Sequence, residues 1–161
     1  AFTIACNVIA RRTVEDQNLN TKSYMLYLND GVYGNFSSIM FDHQHPIPQI
    51  LSTRRRPDGF NYSTASLADS GYTSAEEGVT GGNGAKTIEY SIWGPTSDGI
   101  DCISEKWLAR ETVDVGDWLY FEDMGAYTKC SATRFNGFTD KHETKYVCSE
   151  PSASALLGFS A

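Results

Sequence analysis

The sequence predicts an all-β barrel or sandwich in one domain spanning residues 1–161, and three observations carry that prediction. Short runs of β-branched and aromatic residues recur along the chain. Clusters rich in Gly, Asn and Asp separate them, and little room is left for long helices. No internal repeat is present, and the strand connectivity is not readable from the pattern.

The elements follow in order. Phe2 to Arg11 is apolar and β-compatible through Val8-Ile9-Ala10, and Arg11-Arg12 with the polar stretch Glu15 to Lys22 reads as a loop. Ser23 to Leu28 is a second strand, stopped by the turn signal Asn29-Asp30-Gly31. Ser37 to Phe41 reads as a third short strand ending at Asp42-His43-Gln44-His45-Pro46, and Ile47, Ile50 and Leu51 continue in extended form around Pro48. Residues 53–87 are rich in Ser, Thr, Gly and Asp and offer few side chains to bury, so they predict a long surface loop. Arg54-Arg55-Arg56 at its start reads first as a solvated loop base and second as a phosphate contact.

Order returns at Thr87 to Trp93, which alternates with period two. A short helical turn is expected from Ile100 to Lys106. The turn Val113 to Asp117 leads into Trp118-Leu119-Tyr120-Phe121, a buried strand by its aromatic content. Met124-Gly125-Ala126-Tyr127 is a glycine-bearing bend. Ser131 to Phe135 and Lys145 to Cys148 supply the last strands, with a closing helical turn at Ala153 to Leu157.

Composition excludes several classes. Apolar residues make up 40% and charged residues 20%, ordinary for a globular protein. A net charge of −7 disfavours a nucleic-acid partner, whose phosphates require basic residues, and no apolar run is long enough for a membrane helix. Cys6, Cys102, Cys130 and Cys148 are widely scattered with no C-x-x-C pair, so zinc is not expected. Reduced, mostly buried thiols in a cytoplasmic protein are. The segment Ala1 to Ala10 reads as the interior of a protein, which predicts a fragment or a processed product.

Two loops could carry chemistry. In Gly94 to Asp101, two carboxylates and two hydroxyls follow a strand directly. That pattern reads first as a turn with an Asp helix cap, and second as a loop presenting side chains into a cleft at a barrel rim. His43 and His45 are two apart, so on a strand they would share a face, but no third ligand has metal-site spacing. Neither a G-x-S-x-G elbow nor a phosphate-binding glycine loop occurs.

Six ordered segments nevertheless resemble the C-terminal domain of eukaryotic, especially fungal, ornithine decarboxylases. They are Asn29 to Phe36, Phe41-Asp42-His43, Trp93 to Gly99, Val115 to Trp118, Met124 to Tyr127 and Phe135 to Phe138. The resemblance runs from Phe2 to near Pro151, interrupted by the long loop. It implies a Greek-key-like β-barrel or sandwich that in the family is joined to an N-terminal β/α barrel holding pyridoxal phosphate. That barrel has no counterpart here, and none of the six lysines lies in a motif matching the cofactor lysine. It also implies a homodimer whose sites form between one subunit's barrel and the other's β-domain.

Residue by residue, Asp98 would hold the distal amine of a diamine-type substrate such as ornithine. Asp42 would be a second carboxylate nearby and Tyr33 an aromatic neighbour. Phe135 would wall the substrate pocket, and the Tyr127 hydroxyl would reach the cofactor phosphate. Ser97 stands where the family usually has the cysteine that governs protonation after CO₂ leaves. A thiol, with a pKa of about 8.5, is a usable proton donor and an aliphatic hydroxyl is not. Two readings follow: the substrate-side domain of a decarboxylase, inactive without its barrel, or a cofactor-free descendant acting as a regulatory module or a repurposed small-molecule enzyme.

Overall fold

A computed structural model describes residues 2–16, 21–52 and 87–138. Six strands form one sheet in the order β3-β6-β1-β2-β4-β5. They are β1 (Ile4–Asp16), β2 (Thr21–Leu28), β3 (Gln49–Ser52), β4 (Ile88–Trp93), β5 (Cys102–Ala109) and β6 (Trp118–Phe121), with one helical turn, α1 (Ser38–Phe41).

The 13-residue β1 shapes the sheet. Its first part, Ile4 to Asn7, pairs antiparallel with β6, while Val8 to Asp16 pairs with β2. Between Val8 and Ala10 the register with β2 shifts. A bulge there sharpens the twist and lets one strand serve two halves of a curled sheet. The result is the helix-poor, half-barrel sheet expected of an all-β chain.

Alternation of side chains places the core inside that curl. Cys6 and Val8, Leu26 and Leu28, Tyr90 and Ile92, and Leu119 and Phe121 are period-two pairs, all fully buried. Each such side chain contributes about 1.5–3 kcal/mol of transfer free energy. Phe36, from the loop after β2, seals the sheet by setting its ring edge-on to Phe121 at 4.8 Å. The buried Tyr90 hydroxyl accepts a hydrogen bond from the Val113 amide at 2.9 Å, tying the segment after β5 to the core.

β2 and β4 are parallel neighbours. Parallel strands cannot be joined by a tight turn. The connection therefore travels through α1 and out to β3 beside β6, and it carries Tyr33 and Asp42 on the way.

Several expectations are corrected. Arg11, Arg12 and Glu15 lie within β1 rather than in a loop, because the ladder to β2 satisfies their backbone; Arg12 and Glu15 are exposed and Arg11 is half-buried. The Arg11 guanidinium caps the Tyr24 ring at 4.9 Å and reaches Asp114 at 3.3 Å. Residues 38–41 form α1, not a strand. Residues 102–109 form β5, not a helical turn, because pairing with β4 outweighs local propensity. Ser131 to Phe135 is no strand but an irregular link between two 3₁₀ turns, Lys129–Ser131 and Phe135–Gly137. Of the described thiols only Cys6 is buried; Cys102 is half-buried and Cys130 exposed. The loop expected at residues 53–86, the strand at Lys145 to Cys148 and the helical turn at Ala153 to Leu157 lie outside the described residues.

Candidate functional site

The loop after β2 is folded by its own turn chemistry. Asp30 Oδ1 accepts from the amides of Gly31 at 2.8 Å and Asn35 at 3.0 Å, and Asp30 Oδ2 accepts from Asn35 Nδ2 at 2.6 Å. This self-capped turn sets Tyr33 at its crest.

The loop after β4 is built the same way. Gly94 N donates to the Asp101 carbonyl at 2.8 Å, closing the loop at its base. Asp98 Oδ1 accepts from Ile100 N at 3.1 Å, so Asp98 caps a turn that leads into β5 rather than the N-terminus of a helix. Its other oxygen, Oδ2, accepts from the Tyr33 hydroxyl at 2.6 Å.

A third segment completes the group. Phe135 stacks on Tyr33 with centroids 4.1 Å apart and planes 20° from parallel. Thr133 secures this contact. Its amide donates to the Tyr33 carbonyl at 2.7 Å, and its hydroxyl oxygen accepts from Phe135 N at 3.3 Å. Three of the expected residues thus meet from positions 33, 98 and 135. Thr133 had no motif to mark it; only its spacing two residues before Phe135 could have drawn notice.

The electrostatics are set by the pair. The hydrogen bond from Tyr33, aided by the Ile100 amide, holds the Asp98 carboxyl below the usual range. The same bond, with burial as the next cause, pushes the Tyr33 phenol up to about 12. At neutral pH the site therefore presents a carboxylate held by a neutral phenol, beside an aromatic stack. Such a surface suits a cation. An adjoining cleft of about 300 Å³ is lined by Asp30, Tyr33, Thr96, Asp101, Thr133 and Phe135, among others.

Two other expected residues, Asp42 and Tyr127, make none of these hydrogen bonds or ring contacts. Asp42 follows α1, is exposed, and accepts from Gln44 Nε2 at 3.0 Å. Phe41, its neighbour, faces the Tyr127 ring at 6.2 Å. Tyr127 is exposed on backbone at φ 50°, a conformation uncommon for a residue with a side chain. His43 and His45 are exposed in irregular backbone, and no cluster able to hold a metal exists among the described residues.

Ser97 is exposed at the tip of its loop. Cys102 does not take its place: it sits on β5 with Sγ toward the Ile92 carbonyl at 3.8 Å, and burial pushes its thiol up.

Comparison with known proteins gives the family and the fold. Residues 1–125 match the family described as the pyridoxal-dependent decarboxylase, C-terminal sheet domain. The chain is 54% identical to the ornithine decarboxylase of Neurospora crassa, over 98% of this chain and 33% of that protein. It is 42% identical to antizyme inhibitor 2 of Xenopus laevis, over 86% of this chain and 25% of that one. The lysine/ornithine decarboxylase of Vibrio vulnificus, solved in complex with cadaverine, superposes with a TM-score of 0.56. That match has 27% identity and covers 85% of this chain and 28% of that structure. The chain thus spans a third or less of the length of each of these relatives.

Proposed function

Because the chain belongs to the pyridoxal-dependent decarboxylase family and contains its C-terminal sheet domain, we propose that it is the substrate-side domain of an ornithine-decarboxylase-like enzyme. In this reading Asp98 receives the distal ammonium of a diamine-type amino acid. The observation that carries it is the Tyr33–Asp98 hydrogen bond at 2.6 Å, backed by the Phe135 stack.

An ammonium entering a cleft loses hydration, and a fixed carboxylate restores the charge interaction. Tyr33 keeps Asp98 ionised and aimed. The faces of Tyr33 and Phe135 offer an apolar wall to the methylene stem. Asp42 is the second carboxylate near that amine.

Pyridoxal phosphate, when bound, supplies the electron sink for loss of CO₂. Its fit to this chain is that of a group held mainly elsewhere. Tyr127 is exposed and offers one O–H, suited to donate to a phosphate oxygen. The cofactor lysine and the β/α barrel come from sequence outside these 161 residues, met across a homodimer in the cytoplasm. Ser97 reaches the reacting side with a hydroxyl far less acidic than a thiol, so proton delivery from this position is slow. That one residue also favours a second reading, a regulatory or repurposed relative, in keeping with the similarity to antizyme inhibitor 2.

The test uses the protein encoded by the natural reading frame and measures CO₂ release from ornithine. Asp98→Asn is expected to raise KM about tenfold or more with a smaller change in kcat. Ser97→Cys is expected to raise kcat. An Asp98→Asn protein with unchanged KM would remove Asp98 from the amine site. Ornithine binding without CO₂ release, in both the parent and Ser97→Cys, would favour the regulatory reading.

A further inference from the structure

We propose that Asp101 is a positioning residue whose buried carboxylate clamps the Tyr33 loop to the Asp98 loop and so sets the Tyr33–Asp98 hydrogen bond. The hydrogen bonds of the Asp101 carboxylate go to neither of those side chains, although its charge is felt at Tyr33. It is only 1% exposed, and its two oxygens reach in different directions. Oδ1 accepts from the amide of Val32, next to Tyr33, at 2.8 Å. Oδ2 accepts from the amide of Thr96 at 3.0 Å and from its hydroxyl at 2.5 Å, two residues before Asp98. The Thr96 hydroxyl oxygen lies in turn 3.4 Å from the Asp98 amide.

The backbone is shaped around this carboxylate. A Cβ on Gly31 or on Gly94 would overlap Asp101, and a Cβ on Gly31 would also crowd the Gly94 backbone. The two loops therefore meet backbone to backbone with the carboxylate seated between them. All the groups it faces in these bonds are donors, which an acceptor-only side chain satisfies and an amide does not. In Asp101→Asn, one of Val32 or Thr96 is left with N–H facing N–H, and the loops separate on that side.

The clamp is independent of what Asp98 binds; only its effect on KM rests on the amine reading above. The measurement is ¹³C NMR of the full protein carrying Cζ-labelled tyrosine, with the Tyr33 signal assigned by its loss in Tyr33→Phe. With its phenol pushed up to about 12, Tyr33 is about 10% ionised at pH 11. A phenol released to an ordinary value of about 10 is about 90% ionised there. Folded Asp101→Asn is expected to move Tyr33 toward the second value and to raise KM for ornithine about tenfold. Because the Asp101 charge by itself also raises the Tyr33 phenol, the clamp is read in Thr96→Val, which keeps that charge; a purely structural role would lower the amount of folded protein and leave the Tyr33 titration of folded Thr96→Val unchanged.

Thr96→Val removes only the hydroxyl on the Asp98 side. It is expected to shift the Tyr33 titration in the same direction, while Thr96→Ser keeps the parent behaviour. Tyr33 remaining protonated at pH 11 in folded Asp101→Asn, or in Thr96→Val, overturns the clamp. A shifted titration in Thr96→Val with unchanged KM upholds the clamp and counts instead against Asp98 as the amine anchor.

Discussion

Gly94→Ala offers a sharp test of how the two site loops are packed. Gly94 closes its loop through an amide bond to the Asp101 carbonyl at 2.8 Å, and its α-carbon faces the Asp101 carboxylate. An added methyl group would overlap both carboxylate oxygens and the carbon between them. The carboxylate cannot yield freely, because moving it breaks bonds to Val32 or Thr96. Overpacking of this kind costs about 1–3 kcal/mol, and a buried donor left unpaired costs about 1–3 kcal/mol more. The two overlap, so a loss of about 2–5 kcal/mol is expected, or about 5–15 °C in Tm for a chain of this size. Gly99→Ala is the matched control. It lies in the same loop, and nothing stands within 4 Å of its added Cβ. Urea unfolding of both variants, followed by tryptophan fluorescence, gives the comparison. A Gly94→Ala chain within about 0.5 kcal/mol of Gly99→Ala would show that the loops are not seated on Asp101 as described.

Tyr90→Phe keeps the buried ring but leaves the Val113 amide without its acceptor, so a loss of about 1–3 kcal/mol is expected in the same unfolding assay. A loss below about 0.5 kcal/mol would mean that Val113 finds another partner or water. Thiol labelling with iodoacetamide at pH 8 should modify Cys130 quickly in the native chain and spare Cys6. Burial first, and the Asp30 charge second, push the Cys6 thiol far above the ordinary thiol range, and its side chain is only 1% exposed. Labelling of Cys6 at the rate of Cys130 without denaturant would contradict the placement of Cys6 in the core.

Part of this fold is legible in the local pattern. The runs at β2, β4 and β6 carry their inward residues at period two, and the structure buries those residues. Motifs at residues 29–36, 93–99 and 135–138 mark the three segments that bring Tyr33, Asp98 and Phe135 together. Elsewhere local chemistry misleads. Arg11 to Glu15 is too polar to announce a strand, yet the ladder with β2 needs only backbone groups and leaves Arg12 to Glu15 exposed while Arg11 packs on Tyr24. Ile39 and Phe41 have strand-forming side chains, but the preceding turn, with Ser37 Oγ 3.0 Å from the Gly34 carbonyl, winds them into α1.

The division between the two sources of information is sharpest in the loop from Gly94 to Asp101. Sequence by itself determined the family resemblance, the all-β class, the acidic turn and the Ser97 departure, because each is a matter of residue identity or of neighbours a few positions apart. Only the tertiary structure decided which of the two carboxylates does what. Asp98 is turned to Tyr33, 65 positions away, whereas Asp101 is buried against Val32, 69 positions away. Those partners are brought within reach by the parallel pairing of β2 with β4, a long-range contact that no local pattern encodes.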